Sequence, residues 1–380
     1  MPDRLPSPFA HADPTLPIRE GAPPLARPTK EETEAFPAEA ASLLAANWVA
    51  QQPLLSAGTY DLGWLAGRHV LIAGATGPGL GGALASAILG LGSVASLTIL
   101  ARDLSRSLGF ETGKAMQARA DAEGWGSRFH WLNDGMGLEG KPLESLLEAL
   151  KEAGANRVVY FNCVAGALSG LLPGTPPVFC KDSDASGLFQ WQLTPLSERE
   201  IETTRFLMGE MAVRFPAVLE ANGIGVDASV YADWRGSLDR ASRDPSQHEF
   251  GRHGAYSTSL YLPKDILQAA TREAYGSGRL VLDVFYPMMR TRALPFIPGG
   301  MLTADVNEAL MRREGIRHLE TPELAVAALD RVGRAIHDPL DNPFPRLDSH
   351  DAHLDEWLFE IVSRLSNDPA SPFALSKWTP

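Results

Sequence analysis

Cysteine is nearly absent: two thiols, Cys163 and Cys180, in 380 residues cannot build a disulfide framework, and neither sits in a Cys/His spacing that would hold zinc. A reducing cytoplasm is the expected home of such a chain. There is no Lys/Arg-rich run. With 34 Lys+Arg against 46 Asp+Glu the formal net charge is −12. That balance argues against nucleic acid as the partner, because phosphate binding needs a basic face. The N-terminus lacks the basic start, apolar run and small-residue cleavage site of a secretory signal. An unbroken hydrophobic span is missing too. Residues 70–100 carry no charge and are long enough to cross a bilayer, but seven glycines (Gly74, Gly77, Gly79, Gly81, Gly82, Gly90 and Gly92) divide them into strand, loop, helix and strand. No membrane span is expected.

What is present is the composition of a globular protein, 44% hydrophobic and 21% charged, with enough chain for one large α/β domain or two ordinary ones. Residues 1–29 hold eight prolines and read as an extended arm lying on the body or on a partner subunit. A helix-prone segment follows, "KEETEAFPAEAASLLAANWVAQQ", interrupted by one proline. From residue 69 onward apolar runs ("VLIAG", "SLTIL", "RFHWL", "RVVYFNC", "GVDASVY", "RLVLDVFY") alternate with helical patterns. This alternation predicts βαβ units, hence an α/β fold with a doubly wound parallel sheet of the Rossmann type, an N-terminal arm and helical additions. The expected divisions are residues 1–67 for arm and first helix, 68–340 for a dinucleotide-binding catalytic domain, and 341–380 for a C-terminal helical segment packed on it. The apolar stripe Ala325, Leu329, Val332, Ile336 is read as the buried face of a helix.

The glycine loop is the strongest local signal. "VLIAGATGPGLGGALASAIL" puts Gly77-x-Gly79-x-x-Gly82 directly after a strand and directly before an Ala/Leu-rich helix. Gly74, Thr76, Gly77 and Gly79 then form a tight turn that lets the backbone approach a pyrophosphate. Leu80 opens a helix whose free N–H groups face the anion, and Gly82 lets that helix pack close to the strand. The second strand ends in Arg102 and Asp103, where the adenosine ribose is read; with Arg102 first, NADP(H) is preferred and NAD(H) is possible, the alternative being a solvated charge pair. Asn133 and Asp134, after the third strand, are placed to bond the adenine or to form an ordinary turn.

Further along, Pro263 suits the first position of a helix, which would put Lys264 in the first turn and leave Tyr256 and Tyr261 on the preceding loop. A lysine there can reach the cofactor ribose and lower the pKa of a tyrosine hydroxyl. Tyr256 is preferred over Tyr261, with an aromatic plug over the sheet edge as the alternative for either ring. Ser229 and Tyr231 sit at alternate positions near the end of the fifth strand, hence on one face. His350 and His353 lack an acidic third partner, and Cys163 reads as packing.

Several segments in the same order resemble the trans-2-enoyl thioester reductases of the FabV/Ter type, an enlarged branch of the short-chain dehydrogenase superfamily. The family's loop, Gly-Ala-Ser-x-Gly-Tyr-Gly-Leu-Ala, is similar to residues 74–81 here, Gly-Ala-Thr-Gly-Pro-Gly-Leu-Gly. Its segment after the third strand resembles Asn133-Asp134-Gly135-Met136, and its acidic helix ending in Met-Gly-Gly resembles "LSEREIETTRFLMGE". The stretches "TRALPFIPGGMLTADVNEALMRREGIRHLETPELA" and "LDSHDAHLDEWLFEIVSRL" are similar to its tunnel-covering and C-terminal helices. The similarity spans residues 70–365.

The resemblance implies an NAD(P)H-dependent reductase of an activated C=C bond in a small, thioester-linked substrate; the proline-rich arm suits a homodimer contact and a monomer with the arm folded on its own domain equally well. The resemblance further implies that Tyr256 and Lys264 are catalytic, although Tyr256-x7-Lys264 and Tyr261-x2-Lys264 both differ from the family's Tyr-x8-Lys. Ser229 would bond the substrate carbonyl and Tyr231 would line the site. Asn162, Ala165 and Gly166 would lie against the nicotinamide ribose, and Thr291 would touch the carboxamide. A ketone or aldehyde reductase using the same Tyr/Lys pair is one alternative. A dinucleotide-binding sensor or scaffold without turnover is another.

Overall fold

A computed structural model describes residues 18–19, 30–77, 79–101, 108–164, 170–174, 178–184, 187–193, 195–234, 258–286, 289, 300–301, 304, 317, 319–337, 343–345 and 347. Its strands are β1 (Ile18–Arg19), β2 (His69–Ala73), β3 (Ser96–Leu100), β4 (Phe129–Leu132), β5 (Arg157–Asn162), β6 (Val178–Asp184), β7 (Gly187–Leu193), β8 (Gly225–Trp234) and β9 (Val281–Tyr286). Helices are α1 (Lys30–Ser56), α2 (Leu80–Leu91), α3 (Leu108–Ala122), α4 (Gly140–Glu152), α5 (Glu198–Arg205), α6 (Met211–Ala221), α7 (Thr258–Gly276) and α8 (Thr321–His337).

Six of the strands make a parallel sheet in the order β4-β3-β2-β5-β8-β9. The winding reverses between β2 and β5, and in such sheets ligands bind outside the carboxyl ends of the strands at the reversal. Both faces are covered, which is why the strands are near-continuous runs of apolar residues. On one face Val70, Ile72, Leu97, Ile99, Val159 and Phe161 share a core with α2, α3 and α8. On the other, Leu71, Tyr160 and Tyr231 pack with α4, α6 and α7. On α8 Ala325, Leu329 and Val332 are fully buried as expected and Ile336 is half-buried, and Trp64 is bolted to the stripe by an indole N–H donating to the Leu329 carbonyl at 2.9 Å.

The N-terminal region is more integrated than an arm followed by a helix. α1 runs on through Pro37, and its buried Gln51 donates from Nε2 to the carbonyls of Ala83 (2.8 Å) and Pro322 (3.1 Å), tying α1 to α2 and α8. Within the arm, Ile18–Arg19 pairs with Gln190 and Trp191 of the same chain, extending an antiparallel β6–β7 hairpin that the sequence reading did not anticipate. At the other end, residues 343–347 were expected in a helical segment, but those described are extended. Asp283 and Phe285 donate to the carbonyls of Pro343 and Pro345, and Leu347 donates back to Phe285, so the segment lines the free edge of β9. Two prolines disfavour helix there and suit a sheet edge. Among the described residues no helix is long and apolar enough to cross a membrane.

Candidate nucleotide-binding and reduction site

The turn after β2 is built around glycine. Gly74 has φ of 90°, and a Cβ on it would come within 2.5 Å of the Cys163 carbonyl group and 2.6 Å of the Val164 nitrogen, so the loops after β2 and β5 touch through bare backbone. A Cβ on Gly82 would overlap the Gly77 carbonyl, which is the close helix–turn packing expected of the last glycine. At Gly79 the opposite holds: a Cβ there would meet nothing within 4 Å. Gly79 is the N-cap of α2 and makes no side-chain cap bond, and no acidic residue lies in the first turn. The first turn of this twelve-residue helix thus carries no side chain of its own to cap its N–H groups or to balance the positive end of its dipole. Thr76 sits in this turn, its carbonyl accepting from the buried Thr112 hydroxyl at 3.3 Å, and Leu80 is buried beneath it.

Next to this cradle β5 ends in Asn162, which is 3% exposed and lies level with Ala73 of β2 and Tyr231 of β8. Its Oδ1 is buried and accepts no hydrogen bond from the described residues. An acceptor in that state costs stability unless a ligand donor reaches it.

Beyond Asn162, the same sheet face carries Tyr231 and Asp233 on β8 and Asp283 on β9. Lys264 of α7 forms an ion pair with Asp233, the two side chains being 15% and 2% exposed. Burial pushes the Tyr231 phenol well up, and the Asp283 carboxylate adds to the shift. Burial likewise raises the Tyr160 and Tyr286 phenols. These three rings stay neutral and are poor proton sources at neutral pH. The Cys163 thiol is pushed up to about 12 by burial, which excludes it as a nucleophile at neutral pH and agrees with its reading as packing.

Three placements differ from expectation. α7 begins at Thr258, so Pro263 lies inside it, Lys264 falls in its second turn, and Tyr261 belongs to the helix rather than to the preceding loop. The cause is tertiary: the buried Ser259 exchanges bonds with Gly170, its N–H donating to the Gly170 carbonyl (3.2 Å) and its hydroxyl accepting from the Gly170 N–H (2.9 Å). β8 continues to Trp234, which leaves Ser229 buried in mid-strand, level with Tyr160 and Val281, away from the strand end. Asp134 is committed to α4: its two carboxylate oxygens accept from Lys141 (2.9 Å) and Ser145 (3.0 Å), and these bonds hold its pKa below the usual range. Asn133 Oδ1 accepts from the Trp131 indole at 2.9 Å. Arg102, Ala165, Gly166, Tyr256 and Thr291 lie outside the described residues, as do His350 and His353. Sequence reasoning missed Asp233, because an aspartate so late in an apolar run reads as the end of the strand.

No protein-family model and no curated protein matches the sequence. Among solved structures, the Treponema denticola trans-2-enoyl-CoA reductase in complex with NAD superposes with a TM-score of 0.62 at 17% identity, over 88% of this chain and 86% of that one. The Clostridium acetobutulicum trans-2-enoyl-CoA reductase in complex with NADH gives 0.62 at 14% identity, over 85% and 84%. The chain has their fold. The agreement covers nearly the same share of each chain, in keeping with the resemblance read from the sequence.

Proposed function

We propose that the chain is an NAD(P)H-dependent reductase that adds hydride to a C=C bond conjugated to a carbonyl, with enoyl thioesters as the substrate class. The observation that carries this reading is the glycine cradle at the end of β2, with room for a ligand at Gly79, and Lys264 held at the end of β8 two strands away. Two strand spacings are about 10 Å, a distance that one extended dinucleotide can bridge from pyrophosphate to nicotinamide ribose. The fold shared with reductases solved with NAD and NADH supports the same assignment.

When bound, a reduced nicotinamide supplies the hydride. The residues present fit that group: the first-turn N–H groups of α2 take the pyrophosphate across Gly79, and Asn162 Oδ1 accepts from a ligand N–H or O–H. Lys264 holds the ribose and places positive potential beside the reacting carbonyl. Tyr256 donates to the carbonyl oxygen as enolate charge develops. Arg102 pairs with a 2′-phosphate, so NADPH is the preferred cofactor. The protein works in the cytoplasm, as a monomer or a homodimer.

Mixing the protein with NADPH or NADH and a panel of enoyl thioesters and ketones, while following cofactor absorbance, tests the reading. Oxidation with enoyl thioesters is expected. Oxidation with ketones alone would make it a ketone reductase, and tight binding without turnover on any member would leave a sensor. Failure to bind either cofactor overturns the assignment.

A further inference from the structure

Asp233 is buried on the penultimate residue of β8, in an environment that penalises a lone carboxylate, and Lys264 reaches it from the second turn of α7. Such a pair contributes little to stability. Two ions taken out of water lose more hydration than a single contact returns, and well-packed apolar residues in their place are often neutral or stabilising. Something other than stability is needed to explain an ion pair at the carboxyl end of the sheet, on the face that also carries Tyr231 and Asp283.

We infer that Asp233 is a positioning residue for the reductase site. Its carboxylate fixes the Lys264 ammonium at the end of β8, where the ribose of the cofactor is bound. The inference rests on the function proposed above. A lysine side chain has four rotatable bonds and is otherwise mobile. Anchored by a neighbour that is itself 2% exposed, the ammonium is held before the ligand arrives, and that ordering cost is not charged to binding. Asp233 acts through Lys264 and does not touch the ligand. Its effect is therefore the same for NADH and NADPH, in contrast to a residue that reads the 2′-phosphate.

A double-mutant cycle on the full chain tests this. NADPH and NADH affinities are measured by fluorescence titration for wild type, Asp233→Asn, Lys264→Met and the double variant, with the melting temperature of each. Asp233→Asn is expected to weaken both cofactors by about tenfold, within the range of coupled residues in one ion pair. Adding it to Lys264→Met should cost no further affinity. A purely structural aspartate would instead lower the melting temperature and weaken binding additively in both backgrounds, which overturns the inference. So does an unchanged affinity in Asp233→Asn.

Asp233→Glu keeps the charge and moves it by one methylene, and so covers the case in which the asparagine variant does not fold. A severalfold loss of affinity at a near-native melting temperature is expected, and none would refute the role. Wild-type protein that binds neither cofactor removes the proposed function itself. Wild-type binding with an additive cycle removes only Asp233.

Discussion

Gly79→Val separates ligand approach from folding more sharply than any other single change at the cradle. The residue has φ −69° and ψ −163°, an extended conformation open to any side chain, and a Cβ meets nothing within 4 Å. Strain is therefore absent, and the folding cost reduces to exchanging glycine for valine at an N-cap, about 1 kcal/mol. For a domain of this size that shifts the melting temperature by roughly 2 °C. Binding is another matter, because the branched side chain fills the space across which the first-turn N–H groups of α2 would meet the pyrophosphate. Hydrogen bonds to a charged oxygen contribute about 1.5 kcal/mol or more each. Losing two of them is about 3 kcal/mol, or roughly a hundredfold in Kd. NADPH fluorescence titration beside a thermal melt reads both quantities on one preparation. An unchanged Kd in Gly79→Val would mean that the open side of the turn faces no ligand, and the dinucleotide assignment would fall with it.

Arg102→Ala should weaken NADPH by about 1.5–3 kcal/mol and leave NADH nearly untouched; equal wild-type affinities for the two cofactors would refute the role of Arg102. Gly209→Ala is expected to lower kcat more than stability. Its Cβ would stand 3.0 Å from Pro263 Cα and 3.2 Å from the Ile266 methyl, so α7 is displaced beside Lys264, while the helix-propensity gain of about 1 kcal/mol offsets part of the crowding. A wild-type kcat in that variant would show that α7 tolerates the shift. Native Cys163, half-buried and with its thiol pushed up to about 12 by desolvation, should react slowly with iodoacetamide at pH 8, and rapid alkylation without unfolding would contradict that shift. Tyr256→Phe should lower kcat by roughly 10²-fold with cofactor binding intact, and Tyr261→Phe should be mild. Should Tyr261→Phe be the inactive variant, the roles of the two tyrosines are exchanged.

The parts legible in the sequence are those fixed by local patterns. "VLIAG" and "RVVYFNC" read as strands because their apolar runs suit a sheet covered on both faces, and Gly74, Gly81 and Gly82 are held to their type by backbone that a Cβ would strike. The parts that were not legible depend on contacts distant in sequence. The start of α7 is pinned by Ser259 to Gly170, across 89 positions, so Pro263 reads as a helix start when it is an interior residue. The β6–β7 hairpin did leave a trace, since Phe189, Trp191 and Leu193 alternate with Gln190 and Gln192 in the pattern of a strand, but turn-forming residues on either side obscured it.

Asp233 shows why the end of β8 resisted sequence reasoning and why it matters. Aspartate is depleted in strands and costly in a buried one, so the apolar run that begins at Gly225 reads as ending at Tyr231. The strand nevertheless continues, with Asp233 level with Phe285 and Trp234 level with Tyr286 on β9. What makes the continuation tolerable is Lys264, which arrives from α7, a helix that begins at Thr258, five residues before Pro263, with Ser259 tied to Gly170 in its first turn. A residue that breaks the local rule and is compensated from a distant element marks a place where the fold gives up some stability. Here that place is the carboxyl edge of the sheet, on the same face as the buried Asn162 acceptor and two strands from the glycine turn after β2.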